Sequence, residues 1–230
     1  MPRTARIILP NTPHHIVQRG HNRKAVFIES VDYQYYLDSL VKFKHEFGVK
    51  VYCFCLMTNH IHLIVEPAED AFSVSELMKR LAARQTRYAN KLENRTGSLW
   101  EGRYKISPIQ RDEYLLQCCR YVELNPVKAR MVVDPAQYRW SSYQARTGME
   151  ELGWLDLDEA YLALSDDSNK RQVRYQKFVS IGEGDEKTLI RNAVTRNQLT
   201  GSSAFIDEIE NRIGLRIENR GRGRPVQKGK

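Results

Sequence analysis

The sequence predicts an α+β fold, because strand-like and helix-like apolar patterns alternate along its first half. Two apolar segments on either side of Thr58-Asn59 have the length and spacing of a β-hairpin. Segments with helical spacing of apolar residues lie before and after this hairpin, and a further strand and helix follow. The running order is β-α-β-β-α-β-α. Its first six elements match a ferredoxin-like sheet with two helices packed on one face.

The first three strands and the first helix follow from local patterns. A short strand is predicted at His14–Arg19 and ends before Gly20. The helix that follows ends before Gly48, and its apolar stripe consists of Tyr33, Tyr36, Leu37, Leu40, Val41 and Phe47. Val49–Met57 is apolar on both alternations, which predicts a strand covered on two faces. The segment HIHLIVE, which begins at His60, is its antiparallel partner.

A long second helix is predicted to begin at Ser73 and to end near Asn94. Ser73 and Glu76 have the spacing of a capping box. The apolar stripe of this helix consists of Val74, Leu77, Leu81, Tyr88 and Leu92. A short strand at Arg103–Ile109 then leads to the last helix of the unit.

That last helix is predicted at Arg111–Leu124. Acidic residues lie in its first turn, where they stabilise a helix dipole. Asn125-Pro126 stops the helix, because a residue that precedes proline is pushed out of the α region.

The composition indicates a folded protein, and its positive charge favours a polyanion over an acidic substrate as the partner, although basicity alone does not establish one. Hydrophobic residues make up 41% of the chain and aromatic residues 10%, which excludes a disordered chain, and no apolar run is long enough for a membrane span or a secretory signal. We therefore expect a cytoplasmic protein. Lys and Arg (36) exceed Asp and Glu (28), for a net charge of +8. The cysteines lack zinc-site and redox-site spacing and are predicted to be reduced core residues: Cys53, Cys55, Cys118 and Cys119.

Most of the positive charge is concentrated between residues 79 and 130. This range contains twelve Lys or Arg and five acids, a net charge of +7. On the predicted second helix the basic residues recur at steps of three or four: Arg80, Arg84, Arg87, Lys91 and Arg95. Such a stripe is either a solvated helix face or a surface for phosphates, and the spacing alone does not distinguish them.

The sequence divides into three regions. Residues 1–145 hold the predicted sheet. Residues 146–218 begin with an acidic, loop-like stretch and continue with two helices at Thr188–Asn197 and Ser202–Arg212, spaced either as a helix-turn-helix that binds DNA or as a helical hairpin without that role. Residues 219–230 form a basic tail in which Arg222 and Arg224 flank Gly223, as in an AT-hook for the minor groove of A·T-rich duplex DNA. A solubilising tail is the alternative.

The segment NHIHLIV is the sharpest local signal for chemistry. His60 and His62 are two residues apart on a predicted strand, so both imidazoles project from one face. That arrangement suits two ligands of one metal ion, which then needs a third protein ligand. A buried, hydrogen-bonded histidine pair is the structural alternative.

The segment RYVELNPVKAR offers the partner for this pair. Tyr121 and Asn125 are four residues apart, so they share a helix face if the helix persists that far. Tyr114, two turns earlier on the same face, is a rival nucleophile. The alternative to a functional role is that Tyr121 is a core aromatic residue and that Asn125 only stops the helix.

Taken together, these segments resemble a known family. NHIHL resembles the His-hydrophobic-His motif of the HUH endonucleases, and RYVELNPVKAR resembles the tyrosine helix of their single-tyrosine transposase branch. GSLWEGRYKIS fits between them, and the chain is most similar to the REP-associated tyrosine transposases. The resemblance covers roughly residues 5 to 145. It implies that Tyr121 is the nucleophile and that His60, His62 and Asn125 bind a divalent cation, Mg²⁺ or Mn²⁺.

The resemblance implies a metal-dependent DNA transposase that nicks and rejoins single-stranded, hairpin-containing DNA through a 5′-phosphotyrosine intermediate. Palindromic REP elements are the implied targets, and the basic stripe, with Arg103 and Lys105, is expected to contact phosphates. Relatives of this kind include homodimers in which each tyrosine helix completes the partner's site, and the sequence does not say whether Tyr121 acts in cis or in trans. Two alternatives remain at this stage: a domesticated protein that binds DNA hairpins without cutting, and a hydrolase of small phosphate esters.

Overall fold

A computed structural model describes residues 6–217, in which helices cover both faces of a four-stranded antiparallel sheet. This arrangement confirms the predicted α+β class. The predicted AT-hook residues Arg222 and Arg224 lie outside the described residues. None of the helices between residues 6 and 217 is long and apolar enough to cross a membrane.

The sheet has the strand order β2-β3-β1-β4, and all of its neighbouring strands are antiparallel. The strands are β1 (His14–Arg19), β2 (Val49–Met57), β3 (His60–Pro67) and β4 (Lys105–Pro108). Thr58 and Asn59 form the predicted turn between β2 and β3, while β4 is shorter at both ends than predicted. Arg19 pairs with His60 and Val17 with Lys105, so the end of β1 and the starts of β3 and β4 lie at one end of the sheet.

Two helices, α1 (Ser30–Glu46) and α2 (Phe72–Leu92), pack on one face of the sheet, as predicted. Their apolar side chains form one core with the residues of β1, β2 and β3 that point to this face, among them Ile16, Phe54 and Leu63. The N-terminus of α1 is fixed by a capping box between Glu29 and Asp32.

The predicted capping box at Ser73 is wrong. Helix α2 begins one residue earlier, and the carboxylate of Asp70 accepts a hydrogen bond from the Phe72 backbone N–H at 2.8 Å. The Ser73 hydroxyl is buried and has no hydrogen-bond partner among the described residues. Leu92, predicted to belong to the apolar stripe, is 62% exposed because the helix ends there.

The opposite face of the sheet is covered by α3 (Glu113–Glu123) and the short α4 (Asn125–Lys128). These helices share a second core with β2 and β3. All four cysteines are buried and reduced, as predicted, and Cys53 and Cys55 point to this second core together.

The remaining helices belong to the C-terminal region: α5 (Tyr143–Arg146), α6 (Glu159–Leu162), α7 (Ser168–Ser180), α8 (Glu186–Arg196) and α9 (Ser203–Ile213). Helices α8 and α9 confirm the two predicted helices, whereas α5, α6 and α7 were not predicted. This region packs on the unit that holds the sheet, since Tyr161, Tyr175 and Ile190 belong to the second core. It also covers the edge strand β4, where Asn197 Oδ1 accepts from the Ile106 backbone N–H at 3.0 Å.

The stability of the fold is expected to fall in mild acid because of His14. Its ring is buried, its Nε2 accepts a hydrogen bond from the Leu9 backbone N–H, and burial lowers its pKa to about 3. The unfolded chain, with an ordinary histidine pKa, binds more protons between pH 6.5 and about 3. The contribution of His14 is complete above this window and is lost as pH falls through it, by about 2 kcal/mol at pH 5.

Urea denaturation at pH 7 and pH 5 measures this effect. The His14→Gln variant should lose less stability between the two pH values than the wild type. His45→Gln, which changes an exposed histidine on α1, should keep the wild-type pH dependence. Equal pH dependence of His14→Gln and the wild type would contradict the assignment.

Candidate active site

The two predicted histidines lie on the sheet face that α3 covers. His60 and His62 pair with Met57 and Cys55 of β2, and their ring centroids are 5.1 Å apart. Ile61 and Leu63 point to the other face, into the core with α1 and α2. The predicted alternation along β3 is confirmed.

The orientation of His60 is fixed by the hairpin turn. Its Nδ1 lies 2.7 Å from Oδ1 of Asn59, which can only accept, so Nδ1 donates and Nε2 keeps a lone pair. Asn59 is held in turn, because its side chain donates to the Arg23 carbonyl at 3.0 Å and its own carbonyl accepts from Gly20 N–H at 2.8 Å. Burial lowers the pKa of His60 to about 4, so the ring is neutral at physiological pH and can bind a cation.

A third histidine, which the sequence analysis left without a role, holds His62. His15 on β1 is fully buried, and its Nε2 lies 2.9 Å from Nδ1 of His62. Burial lowers the pKa of His15 to about 3 and that of His62 well below its ordinary value. A bond donated by Nδ1 of His62 leaves its Nε2 with a lone pair for a metal ion, the usual arrangement around a ligating histidine.

Tyr121 lies beside these histidines of its own chain. Its ring centroid is 5.7 Å from that of His15 and 6.1 Å from that of His62, both in edge-to-face contact. Within residues 6–217, Tyr121 is the tyrosine whose ring packs against histidine rings. Tyr114, the rival nucleophile, packs at the margin of the second core.

The electrostatic surroundings of Tyr121 work in two directions. Burial, followed by the carboxylate of Glu183, raises the pKa of the phenol. The charges of Arg191 and Arg19 act on this pKa in the opposite direction. A third cation is in direct contact, since Lys128 Nζ lies 3.7 Å from the centroid of the Tyr121 ring and donates to the Tyr121 carbonyl at 3.0 Å. Glu183 holds Lys128 in place by an ion pair of 2.9 Å.

Asn125 lies at the junction of α3 and α4, as its position before proline predicts. Helix α3 ends at Glu123, and Nδ2 of Asn125 donates to the carbonyls of Tyr121 at 2.8 Å and Val122 at 3.1 Å. These bonds satisfy two terminal carbonyls of the helix. They leave Oδ1 as the group of Asn125 that can bind a cation.

The predicted basic residues fall into different environments. Arg80, Arg87 and Lys91 are exposed on α2, and Arg103 and Lys105 are exposed at the start of β4. Arg84 instead packs its guanidinium 4.8 Å from the ring of Tyr35, and Arg95 lies beyond the end of α2 in an ion pair with Glu93. The stripe is therefore shorter than the spacing suggested, and its role in DNA binding remains a prediction.

The donor groups present fit a divalent cation with mixed ligands. Residues 6–217 contain no group of three or more His, Cys, Asp or Glu placed to hold a metal ion. Two neutral imidazoles are available from His60 and His62, so the third protein ligand has to be of another type. The amide oxygen of Asn125 is a hard donor of such a type, and its role as a ligand remains a prediction.

Comparison with known proteins identifies similarity in the part of the chain that holds these residues. Residues 9–125 match the family model described as "Transposase IS200 like", a stretch that includes His60, His62, Tyr121 and Asn125. A REP-associated tyrosine transposase, solved bound to a REP hairpin, is similar at 16% identity over 70% of this chain and 93% of that chain, with a TM-score of 0.58. A candidate transposase from Deinococcus radiodurans R1 is similar at 17% identity over 53% and 96% of the two chains, with a TM-score of 0.36. No curated protein sequence matches the chain.

Proposed function

This chain belongs to the IS200-like transposase family, and we propose on that premise that it nicks and rejoins single-stranded DNA through a covalent bond to Tyr121. The observation that carries the proposal is the contact of the Tyr121 ring with His15 and His62. In this contact a phenol lies next to two neutral imidazoles. Because Tyr121 and these histidines belong to one chain, the contact supports action of the tyrosine in cis.

The proposed reaction consists of two transesterifications. The Tyr121 oxygen loses its proton and attacks a DNA phosphorus, the P–O3′ bond breaks, and the 3′-oxygen leaves as a hydroxyl after it gains a proton. The 5′-phosphotyrosine bond keeps the energy of the broken linkage, so the 3′-hydroxyl of another strand can reverse the step and join the two strands. No nucleotide cofactor is needed.

The chain's own residues have distinct parts in this proposal. His60, His62 and Asn125 would hold a divalent cation, Mg²⁺ or Mn²⁺, which when bound polarises a scissile phosphate and stabilises developing negative charge. Lys128 places a positive charge against the Tyr121 ring, which favours the phenolate over the phenol. Asn59 and His15 orient the two imidazoles.

His15 is therefore proposed as a positioning residue for His62. The His15→Phe variant, which removes the hydrogen bond but nearly keeps the ring volume, should bind Mn²⁺ about 10- to 100-fold more weakly. Titration calorimetry without DNA measures this directly. The matched control is His14→Gln, which changes the neighbouring buried histidine on the other side of β1 and should keep wild-type affinity. Unchanged affinity of His15→Phe would rule out the positioning role.

The proposed substrate is single-stranded DNA beside a hairpin, such as a REP element. Tyr121 is half-buried on α3, where a phosphate within a regular duplex would not reach it. The solved REP-associated transposase was bound to a REP hairpin, and the exposed Arg80, Arg87 and Lys91 supply positive charge for phosphates. In a bacterial cell, genomic DNA as substrate implies action in the cytoplasm.

The remaining assignments are extensions of the same proposal. The strand order β2-β3-β1-β4 and the two helices on one face support a ferredoxin-like arrangement. We assign the nuclease activity to residues 1–145, an accessory and DNA-binding role to residues 146–218, and contact with A·T-rich duplex to the tail.

The direct test uses a hairpin oligonucleotide from repeats that flank the gene, labelled at either end. With Mg²⁺ or Mn²⁺ but not with EDTA, 5′-labelled DNA should yield a free shortened strand. DNA labelled at its 3′ end should yield a band shifted by the mass of the protein. DNA that is bound but never cut would favour the non-cutting hairpin-binding protein. Turnover of a small phosphate ester without a DNA adduct would favour the hydrolase.

A further inference from the structure

Helix α8 lies on the same face of the sheet as Tyr121. Its Ile190 packs in the second core, which α3 shares with β2 and β3. In the first turn of α8, Glu186 forms an ion pair with Arg120, the residue that precedes Tyr121. The family model matches residues 9–125, so α8 belongs to a part of the chain that this model does not include. A helix from outside the matched segment therefore borders the proposed nucleophile.

Two cations project from one side of α8. Ile190 and Val194 are buried, whereas Lys187 and Arg191, each three residues before one of them, are exposed beside the buried face. Among residues 6–217, neither cation forms an ion pair with a carboxylate. Like charges four residues apart destabilise a helix, and an anion bound between them would remove that cost.

This side of α8 faces the proposed nucleophile. Burial raises the pKa of Tyr121, and the positive charge of Arg191 acts against this rise. Burial lowers the pKa of Lys128, whose ammonium contacts the Tyr121 ring, and the charge of Lys187 lowers it further. Such effects require short separations, because salt screens surface charges over about 10 Å. Lys187 and Arg191 therefore lie close to the contact between Tyr121 and Lys128.

A third cation lies next to His60. Arg19 of β1 is the partner of His60 on β3, and residues directly opposite in an antiparallel pair project from the same face. Arg19 is exposed and, like the two cations of α8, has no carboxylate partner in the part of the chain that the structure describes. The proposed active site is therefore bordered by cations from both β1 and α8.

Helix α9, the neighbour of α8, does not offer the same charge. Three cations and one acid belong to α8, whereas one cation and three acids belong to α9. The turn between these helices is fixed on β4, since the buried hydroxyl of Thr200 lies 2.8 Å from that of Ser107. Of the two helices, α8 is the one whose charge suits a polyanion.

We propose that Lys187 and Arg191 bind backbone phosphates of the single strand beside the scissile phosphate, so that α8 forms one wall of the path that leads the strand to Tyr121. The exposed basic residues of α2 lie on the opposite face of the sheet, so they do not supply this charge. This inference rests on the proposed function, since it takes single-stranded DNA as the ligand. It gives the DNA-binding role of the C-terminal region a location and two residues.

The test is the salt dependence of DNA binding by fluorescence anisotropy, in the Tyr121→Phe background so that cutting does not interfere. Two hairpins are compared, one blunt and one with about six unpaired nucleotides at its foot. For the tailed hairpin, the double variant Lys187→Gln/Arg191→Gln should reduce the slope of log affinity against log salt by about 1.4, because each phosphate contact to a single strand contributes about 0.7. This corresponds to about 25-fold weaker binding at about 0.1 M salt and to almost no loss near 1 M. Binding of the blunt hairpin should not change.

The matched control is Lys170→Gln/Arg212→Gln, which removes the same two charges from exposed positions on α7 and α9. It should keep the wild-type slope for both hairpins. Equal losses for the two hairpins, an equal loss in the control, or no loss in the α8 variant would overturn the proposal. If the slope falls only for the tailed hairpin but the protein with Tyr121 intact never cuts it, the α8 assignment stands and the transposase proposal fails. Cutting by the intact protein with unchanged slopes would sink the α8 assignment alone.

Discussion

The Tyr121→Phe variant is expected to lose DNA cutting by at least about 10³-fold and to form no protein-DNA adduct. The change removes the atom that we propose makes the covalent bond, and among residues 6–217 Tyr121 is the tyrosine whose ring packs against the histidine rings. The phenylalanine ring fills the same space, so folding should be preserved. Single-turnover cutting of labelled hairpin DNA measures the loss, and thermal unfolding checks the fold.

Tyr114→Phe is the matched control for this prediction. Tyr114 lies two helical turns earlier on α3 and packs at the margin of the second core, where its ring contributes apolar contact. We expect this variant to cut DNA at a rate close to that of the wild type. Loss of cutting in Tyr114→Phe with full activity in Tyr121→Phe would identify Tyr114 as the nucleophile and contradict the assignment to Tyr121.

The Arg146→Met variant is expected to lower the free energy of unfolding by about 3 to 5 kcal/mol. Arg146 is fully buried, donates to the carboxylate of Asp158, and makes bonds of 3.2 and 3.0 Å to the carbonyl of Tyr52. Its Nε lies 3.9 Å from Glu123 of α3. Removal of the cation leaves two buried carboxylates without a counter-charge, and burial already raises the pKa of Glu123.

This buried network connects α3 to the C-terminal region. Glu123 also accepts from Ser142 Oγ at 2.6 Å and from the Tyr175 hydroxyl on α7 at 2.7 Å. Because Glu123 is two residues from Tyr121, we expect the Arg146→Met variant to lose DNA cutting below its unfolding temperature as well.

Urea denaturation measures the loss of stability. Arg139→Met is the control, since Arg139 is exposed beside Trp140 and its replacement should cost no more than about 0.5 kcal/mol. A loss below about 1 kcal/mol for Arg146→Met would show that the buried charges are not coupled as described.

The parts of the fold that local patterns determine could be predicted. The bounds of β1 and β2, and the positions of His60 and His62 on one face of β3, follow from alternation and from a two-residue turn. The placement of Asn125 at a helix end follows from the proline after it. In each case the cause lies within a few residues of the effect.

The parts that depend on distant residues could not be predicted. His15 meets His62 only because β1 pairs with β3 in one register, across 47 residues of sequence. Lys128 is held against Tyr121 by Glu183, which lies in a region whose packing no local pattern reveals. The missing cap at Ser73 has a local cause instead, since α2 begins one residue earlier and Asp70, three residues before Ser73, accepts from the Phe72 N–H.

The most direct test of the central claim is to map the covalent DNA adduct by mass spectrometry after tryptic digestion. Trypsin separates the two candidate tyrosines, because Tyr114 falls in the peptide 112–120 and Tyr121 in the peptide 121–128. We predict that the nucleotide is linked through its 5′-phosphate to Tyr121 in the peptide 121–128. A nucleotide on the peptide 112–120, or cut DNA without any linked peptide, would contradict the proposed mechanism.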